Sequence, residues 1–366
     1  MSALFQPLRL RSLELPNRVV VSPMCQYSAR DGCATDWHLV HWGQMLQAGA
    51  GLFVVEATAV SPEGRISPAD LGCYDDASEA ALAGTLRRAR AVAPPGHVAL
   101  QLAHAGRKAS SAAPWVGGRV APADGGWAPV APSALPFAPG DTVPAALDAA
   151  GLARVRDAFA GAARRAARAG VDAIEVHCAH GYLLHEFLSP LANRREDAWG
   201  GSPEGRMRFP LEVFDAVRAA VPDAMPVGVR ISATDWVDGG WTLDDSVAFA
   251  QRLKARGCDF VDVSSAGVSP LQKIDAKPLF QVPFARAIRA ATSLPTIAVG
   301  LVTRAAEAEA IVASGDADLV AMARAFLWNP RWVWHAAAEL GGQVVPPVQY
   351  ERAVPRDFAN AFAKRK

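Results

Sequence analysis

Eight short apolar runs, most of them followed by a stretch of helical composition, set the narrowest limit on this fold. They are RVVVSPM (18–24), GLFVVEATAV (51–60), HVALQLAHAG (97–106), VDAIEVHCAH (171–180), MPVGVRIS (225–232), CDFVDVSSAG (258–267), LPTIAVG (294–300) and ADLVAMAR (317–324). Amphipathic helices are expected at 78–93, 152–169, 203–220, 242–256, 281–291 and 303–313. Strands that are apolar on both faces belong in a parallel sheet covered on both sides. Eight such units favour a closed (β/α)8 TIM barrel over an open doubly wound sheet. The 366 residues, 51% of them hydrophobic, suit one barrel over 1–366 with insertions. Helix punctuation agrees. Ser202-Pro203 reads as an N-cap followed by proline at the first helical position, and Gly170 and Gly257 sit where left-handed C-caps are expected.

Two regions fall outside the repeat. Residues 110–148 follow the third strand, are dense in Pro, Gly and Ser, and read as a lid or small capping hairpin, with Trp115 and Trp127 packing it down. Residues 328–366 read as a C-terminal extension on the surface. The net charge of +1 and the lack of a like-charge block give no footprint for nucleic acid. No stretch of about 18 apolar residues suggests a membrane span, and the N-terminus lacks a signal-like apolar run. The five cysteines are scattered and outside CxxC pairs, which argues against an iron–sulfur cluster or a disulfide framework and for a reduced, cytoplasmic protein. GxGxxG and P-loop patterns are absent, so a nicotinamide cofactor has to bind without a Rossmann domain.

In such a barrel the chemistry gathers at the C-terminal ends of the strands. Those ends carry Ser22, Pro23, Met24, Cys25 and Tyr27; Ala57 beside Glu56; Gln101; His177, His180 and Tyr182; Arg230; Gly300; and Ala323-Arg324. The stretch HCAHGYLLHEF (177–187) poses the main choice. As a metal site, His177 and His180 would serve a metal-dependent barrel hydrolase. HExxH is absent, however, and the neighbours on offer include two arginines, which repel a cation. As an anion pocket the set is more coherent. Gly300 and Arg324 stand where barrels hold phosphate, Arg230 can face a delocalised anion, and Gln101 offers a paired donor and acceptor to a heterocycle edge. A phosphorylated heterocycle able to carry negative charge describes reduced FMN. His104, His185 and Glu186 read as structural, and Cys25 also fits a simple buried thiol.

The chain resembles the old yellow enzymes, in their thermophilic-like branch. The resemblance rests on SPMCQY (22–27), VVEATAV (54–60), QLAHAGRKA (101–109), EVHCAHGYLLHEFLSPLANRREDAWGGS (175–202), VRIS (229–232), AVG (298–300) and PPVQYER (346–352), and runs from about residue 4 to 352. It implies an FMN-containing barrel that uses NADPH or NADH to reduce activated C=C bonds of small α,β-unsaturated substrates: enones, enals, maleimides and nitroalkenes. Residue by residue it implies that Ser22, Pro23, Met24 and Cys25 line the flavin, with Cys25 tuning its potential. Ala57 and Gln101 contact the ring, and Arg230 stabilises it when reduced. Ala323 and Arg324 hold the phosphate. His177 and His180 bind the substrate's oxygen, Tyr182 donates the proton, and Tyr27 shapes the site. Arg352 is implied to reach into a partner subunit's pocket, hence a homodimer or higher homo-oligomer. Trp199, Gly205 and Ala323 depart from the usual pattern, where tyrosine, asparagine and glycine are common.

Overall fold

The computed structural model describes residues 2–363. The chain enters through an antiparallel hairpin, β1 (Leu8–Leu10) and β2 (Leu13–Leu15), which the apolar-run pattern does not reveal. Leu10 and Leu15 pack with the apolar residues lining the barrel interior, so the hairpin plugs one mouth. Eight strands close the barrel: β3 (Val19–Val21), β4 (Leu52–Ala59), β5 (His97–Ala103), β8 (Ala173–Cys178), β9 (Val227–Ser232), β10 (Val261–Ser264), β11 (Thr296–Ala298) and β12 (Leu319–Met322). Every neighbouring pair is parallel, and β12 pairs with β3 to complete the ring. The two-residue β6 (Val130–Ala131) and β7 (Ala145–Ala146) lie outside it.

Alternation divides the strands' side chains between two cores. Val20, Leu52, Val54, Ala99, Ala173, Phe260, Ile297 and Leu319 fill the barrel. Val19, Val21, Phe53, Val55, Leu100, Ile174 and Val176 face outward to the helices. Phe260 needs room, and Gly228 on the neighbouring strand gives it: a Cβ there would stand 2.3 Å from the ring. The outer layer consists of α1 (Asp36–Leu46), α2 (Asp76–Ala91), α3 (Ala149–Ala169), α5 (Pro203–Ala220), α6 (Leu243–Lys254), α7 (Val282–Thr292) and α8 (Ala305–Ala313), with the short α4 (Leu183–Leu188) in the loop after β8, and α9 (Arg324–Trp328) and α10 (Trp332–Leu340) after β12. Phe159, Phe214 and Phe249 are fully buried between the layers, each burial being worth about 1.5–3 kcal/mol.

Ser202 caps α5 ahead of Pro203, and Gly170 and Gly257 adopt left-handed backbone, as the sequence suggests. Helix α1 is not among the expected helices. Its DWHLVHWGQML carries no Ala/Arg/Leu pattern, and its buried face is made by His38, His41, Trp42 and Met45.

The segment expected as a lid or small capping hairpin opens with an antiparallel turn, where Ser111 bridges Arg119, and continues as a loop in which β6 and β7 run parallel. Two arginines pin it. Arg119 pairs with Asp141 at 2.6 Å, and Arg195 Nη1 donates to the carbonyls of Pro132 and Leu147. Trp127 packs down as expected, with its indole N–H donating to Glu63 O and Arg65 over its ring; Trp115 is 72% exposed and touches the barrel's loops through the edge of Tyr27. Within 328–366, α10 packs on α8 and buries Val333, Ala336 and Ala337 in the main core, so the part that leaves the barrel follows Leu340. There Trp334 meets Tyr350 and Phe362 edge-on, beside Gln47 and the Ala91–Pro95 turn. No helix of the described residues is long and apolar enough to cross a membrane.

Candidate active site

Closure of the barrel brings the strand ends together, and several inward positions at its top carry polar residues, among them Ser22, Gln101, His177 and Arg230. On β4, Glu56 and Ala57 lie at a bulge, where the pairing with β5 shifts between Val55 and Thr58. Glu56 is 3% exposed. One of its oxygens accepts the backbone N–H of Gln26, and the other stands 3.1 Å from His38 Nε2. His38 Nδ1 accepts the Thr35 N–H, so the ring's proton is on Nε2 and faces the carboxylate. Helix α1 thus fixes the turn that carries Cys25. Burial pushes the Cys25 thiol well up, helped by Asp70 and Glu56, so it stays a thiol. Ser22 Oγ is buried without a partner. Gln101 donates from Nε2 to Glu175 Oε1 at 2.7 Å, and Arg230 Nε lies 3.1 Å from Asp262 Oδ2.

After β8 the chain turns sharply. His180 (φ 59°) and Gly181 (φ 71°) are both left-handed. A Cβ on Gly181 would strike Gly267 O at 2.1 Å, so glycine is required there. His180's strained backbone is held from both sides: its N–H donates to Ser232 Oγ at 2.9 Å, and its carbonyl accepts from Lys108 Nζ at 2.8 Å. The turn brings three rings together. His177 lies 5.2 Å from His180 and 5.1 Å from Tyr182, both edge-on. Burial, then Arg230, holds both imidazoles well below the usual histidine range, so both are neutral. His180 Nε2 shares a 2.7 Å hydrogen bond with Ser264 Oγ, and His177 Nδ1 has no partner. Burial raises the Tyr182 phenol, which stays protonated.

Lys108, inside the quoted QLAHAGRKA stretch but given no role from sequence, proves central. Its ammonium sits 5.1 Å from the Tyr182 ring centroid and 4.8 Å from that of Phe137 in the lid. Tyr27 (φ 50°) makes an edge contact with Trp115 of the lid at 5.6 Å. His185 and Glu186 fall to the scaffold, as read. His185 bridges the Gly181 N–H and Asp235, and Glu186 accepts the Arg107 N–H.

At the other end of the strand tops lies a cavity of about 700 Å³ lined by Gly300, Thr303, Ala323 and Arg324, with Gln281 at its wall. Gly300 has φ 131°, and the Arg324 side chain is exposed to it. Pro23 and Met24 are half-buried beside Cys25. Arg352 is not brought to this site. It is exposed in the turn Val348–Ala353, whose neighbours Gln47 and Ala91–Pro95 belong to the opposite ends of α1 and α2. Among the described residues no group of three His, Cys, Asp or Glu side chains is arranged to hold a metal ion.

The model of the NADH:flavin oxidoreductase / NADH oxidase family matches residues 3–342. This chain belongs to that family, the old yellow enzymes. An NADPH dehydrogenase of Geobacillus thermodenitrificans (strain NG80-2) is 46% identical over 356 residues, covering 96% of this chain and 98% of that protein. Morphinone reductase superposes with a TM-score of 0.77 at 31% identity, over 99% of this chain and 94% of that one. An old yellow enzyme homologue from Zymomonas mobilis gives 0.74 at 29% identity, over 89% and 90%. The protein is therefore an NAD(P)H-dependent FMN oxidoreductase on a TIM barrel. The donor set suits FMN: a guanidinium opening on the cavity, an unpartnered buried Ser22 hydroxyl, and Gln101, whose amide oxygen is left over once its nitrogen is bound.

Proposed function

We propose that this old yellow enzyme reduces the C=C bond of enones, enals, maleimides and nitroalkenes. The reading is carried by one observation: two neutral imidazoles and a protonated phenol cluster at the strand tops, with the His177 ring centroid 5.2 Å from that of His180 and 5.1 Å from that of Tyr182. Bound FMN supplies the hydride, taken from NADPH or NADH and delivered to the β-carbon. Gly300, Ala323 and Arg324 hold its phosphate. Ser22 to Cys25, Ala57 and Gln101 line the ring, and Arg230 faces it.

His177 and His180 donate to the substrate's carbonyl or nitro oxygen, where negative charge grows. Each such donor is worth roughly 3 kcal/mol in the transition state. Neutral imidazoles suit this, because a protonated pair would repel itself and Arg230. Tyr182 hands its proton to the α-carbon. Tyr27 and the lid bound the cleft, and Arg352 completes the site of a second subunit in a homodimer. The test is an anaerobic titration of the purified protein with NADPH and then cyclohexenone. The yellow absorbance is expected to bleach and then recover stoichiometrically. Reduced protein that cyclohexenone fails to reoxidise defeats this reading.

A further inference from the structure

Below the imidazoles the barrel holds a polar layer of Gln101, Glu175, Arg230 and Asp262, of which the proposed reaction uses neither acid. Strand register sets Gln101 opposite Glu175, and Arg230 opposite both His177 and Asp262. Glu175 is 0% and Asp262 1% exposed. Their floor is apolar, built from Ala99, Ala173 and Phe260. Gln101 binds one oxygen of Glu175, and Arg230 stands against one oxygen of Asp262; Glu175 Oε2 and Asp262 Oδ1 have no partner.

Two carboxyl groups and one guanidinium are thus sealed together. If both acids ionised, a net negative charge would lie buried without a counterion, which is costly. Burial, and then repulsion from Asp262, push Glu175 up to about 8 against the opposing pull of Arg230 and the Gln101 hydrogen bond. Asp262 is also raised by burial, with Arg230 pulling it back. Arg230 touches Asp262, so the ion pair claims that acid and the remaining proton stays on Glu175.

We propose that Glu175 is a positioning residue for the flavin: bonded to Gln101 and sharing with Asp262 the single guanidinium of Arg230, it leaves the layer under the ring without net charge, so that negative charge on the reduced ring is not opposed from below. This rests on the placement of the ring over Gln101 and Arg230. When Glu175 ionises, the layer turns negative and reduced FMN is bound less well relative to oxidised FMN. The groups facing Glu175 are Gln101 from β5, Arg230 from β9 and Asp262 from β10. His177 and His180 above them stay neutral through the relevant range.

The experiment measures the midpoint potential of bound FMN, and hence the ratio of its reduced to oxidised dissociation constants, between about pH 6 and about pH 9.5 in wild type and Glu175→Gln. In wild type that ratio is expected to rise on the order of tenfold more than in the variant, the break centring near pH 8, since a unit charge acts through low-dielectric protein. Coincident pH profiles overturn the proposal. Asp262→Asn provides a second reading should Glu175→Gln not fold. It removes the like charge, so the break is expected to move to lower pH, and an unmoved break overturns the proposal. Arg230→Met separates the two levels. If it leaves the potential unchanged at every pH, the ring does not lie over this layer and both the placement and the inference fail. If it shifts the potential while Glu175→Gln follows wild type, only the role of Glu175 fails.

Discussion

Replacing Tyr182 with phenylalanine deletes one hydroxyl and little else. The ring stays wedged between the edge of His177 at 5.1 Å and the Lys108 ammonium at 5.1 Å, and both contacts use the ring rather than the oxygen. The residue also caps α4 through its backbone alone, so the fold is expected to lose less than about 1 kcal/mol. Activity is another matter. General-acid help is worth about 10²–10⁴-fold, or roughly 3–6 kcal/mol of barrier at about 1.4 kcal/mol per decade. Burial keeps the phenol protonated, so this contribution is fully present throughout the neutral range. Anaerobic stopped-flow separates the steps. Reduction by NADPH is expected to stay within about threefold of wild type, because no carbon is protonated in it. Reoxidation by cyclohexenone is expected to slow by at least about a hundredfold. A quinone, which takes its protons on oxygen, serves as the control and should turn over at nearly the wild-type rate. Wild-type reoxidation by cyclohexenone in Tyr182→Phe would refute the assignment, and equal losses with enone and quinone would show a damaged site rather than a missing acid.

Two further outcomes follow from charge. Burial lowers Lys108 from the usual lysine value to about 8, so the unfolded chain binds more protons between about pH 8 and 10.5, and stability should rise with pH across that window. Comparing urea denaturation of wild type and Lys108→Met at pH 7 and pH 9 should show the wild type gaining about 1 kcal/mol relative to the variant; parallel shifts contradict the buried ammonium. Arg324→Ala should weaken FMN binding by about 10–100-fold through loss of a charged hydrogen bond, while leaving riboflavin affinity nearly untouched. An equal loss for both ligands in a fluorescence titration would remove Arg324 from the phosphate.

The barrel was legible in the sequence because its strands are buried on both faces, and a two-sided apolar run is visible without knowing its partners. Helix α1 was not, because His38, His41 and Trp42 bury a face that propensity and apolar periodicity both overlook. The histidines and Tyr182 were legible as a group because they share one turn. Lys108 lay in plain sight, but its role depends on how the loop after β5 folds back over Tyr182, which no local pattern specifies.

The least legible part is the polar layer, although a signal for it exists. VVEATA, AIEVHC, VGVRIS and VDVS are apolar strands that each carry one charge, at Glu56, Glu175, Arg230 and Asp262. Alternation alone puts each of these on the inward face, and charges turned into a barrel must satisfy one another or a ligand. What the sequence lacks is register, which decides the partners. Pairing places Arg230 across from Asp262, and Glu175 across from Gln101. A slip of one residue would turn each of these charges toward the helices. The same register that packs Phe260 over Gly228 therefore sets which acid is matched by a cation and which one keeps a proton. In this enzyme the electrostatics of the polar layer are a consequence of strand alignment, and under the proposed placement of the flavin a change at Glu175 should be read in the cofactor's potential before it is read in the fold.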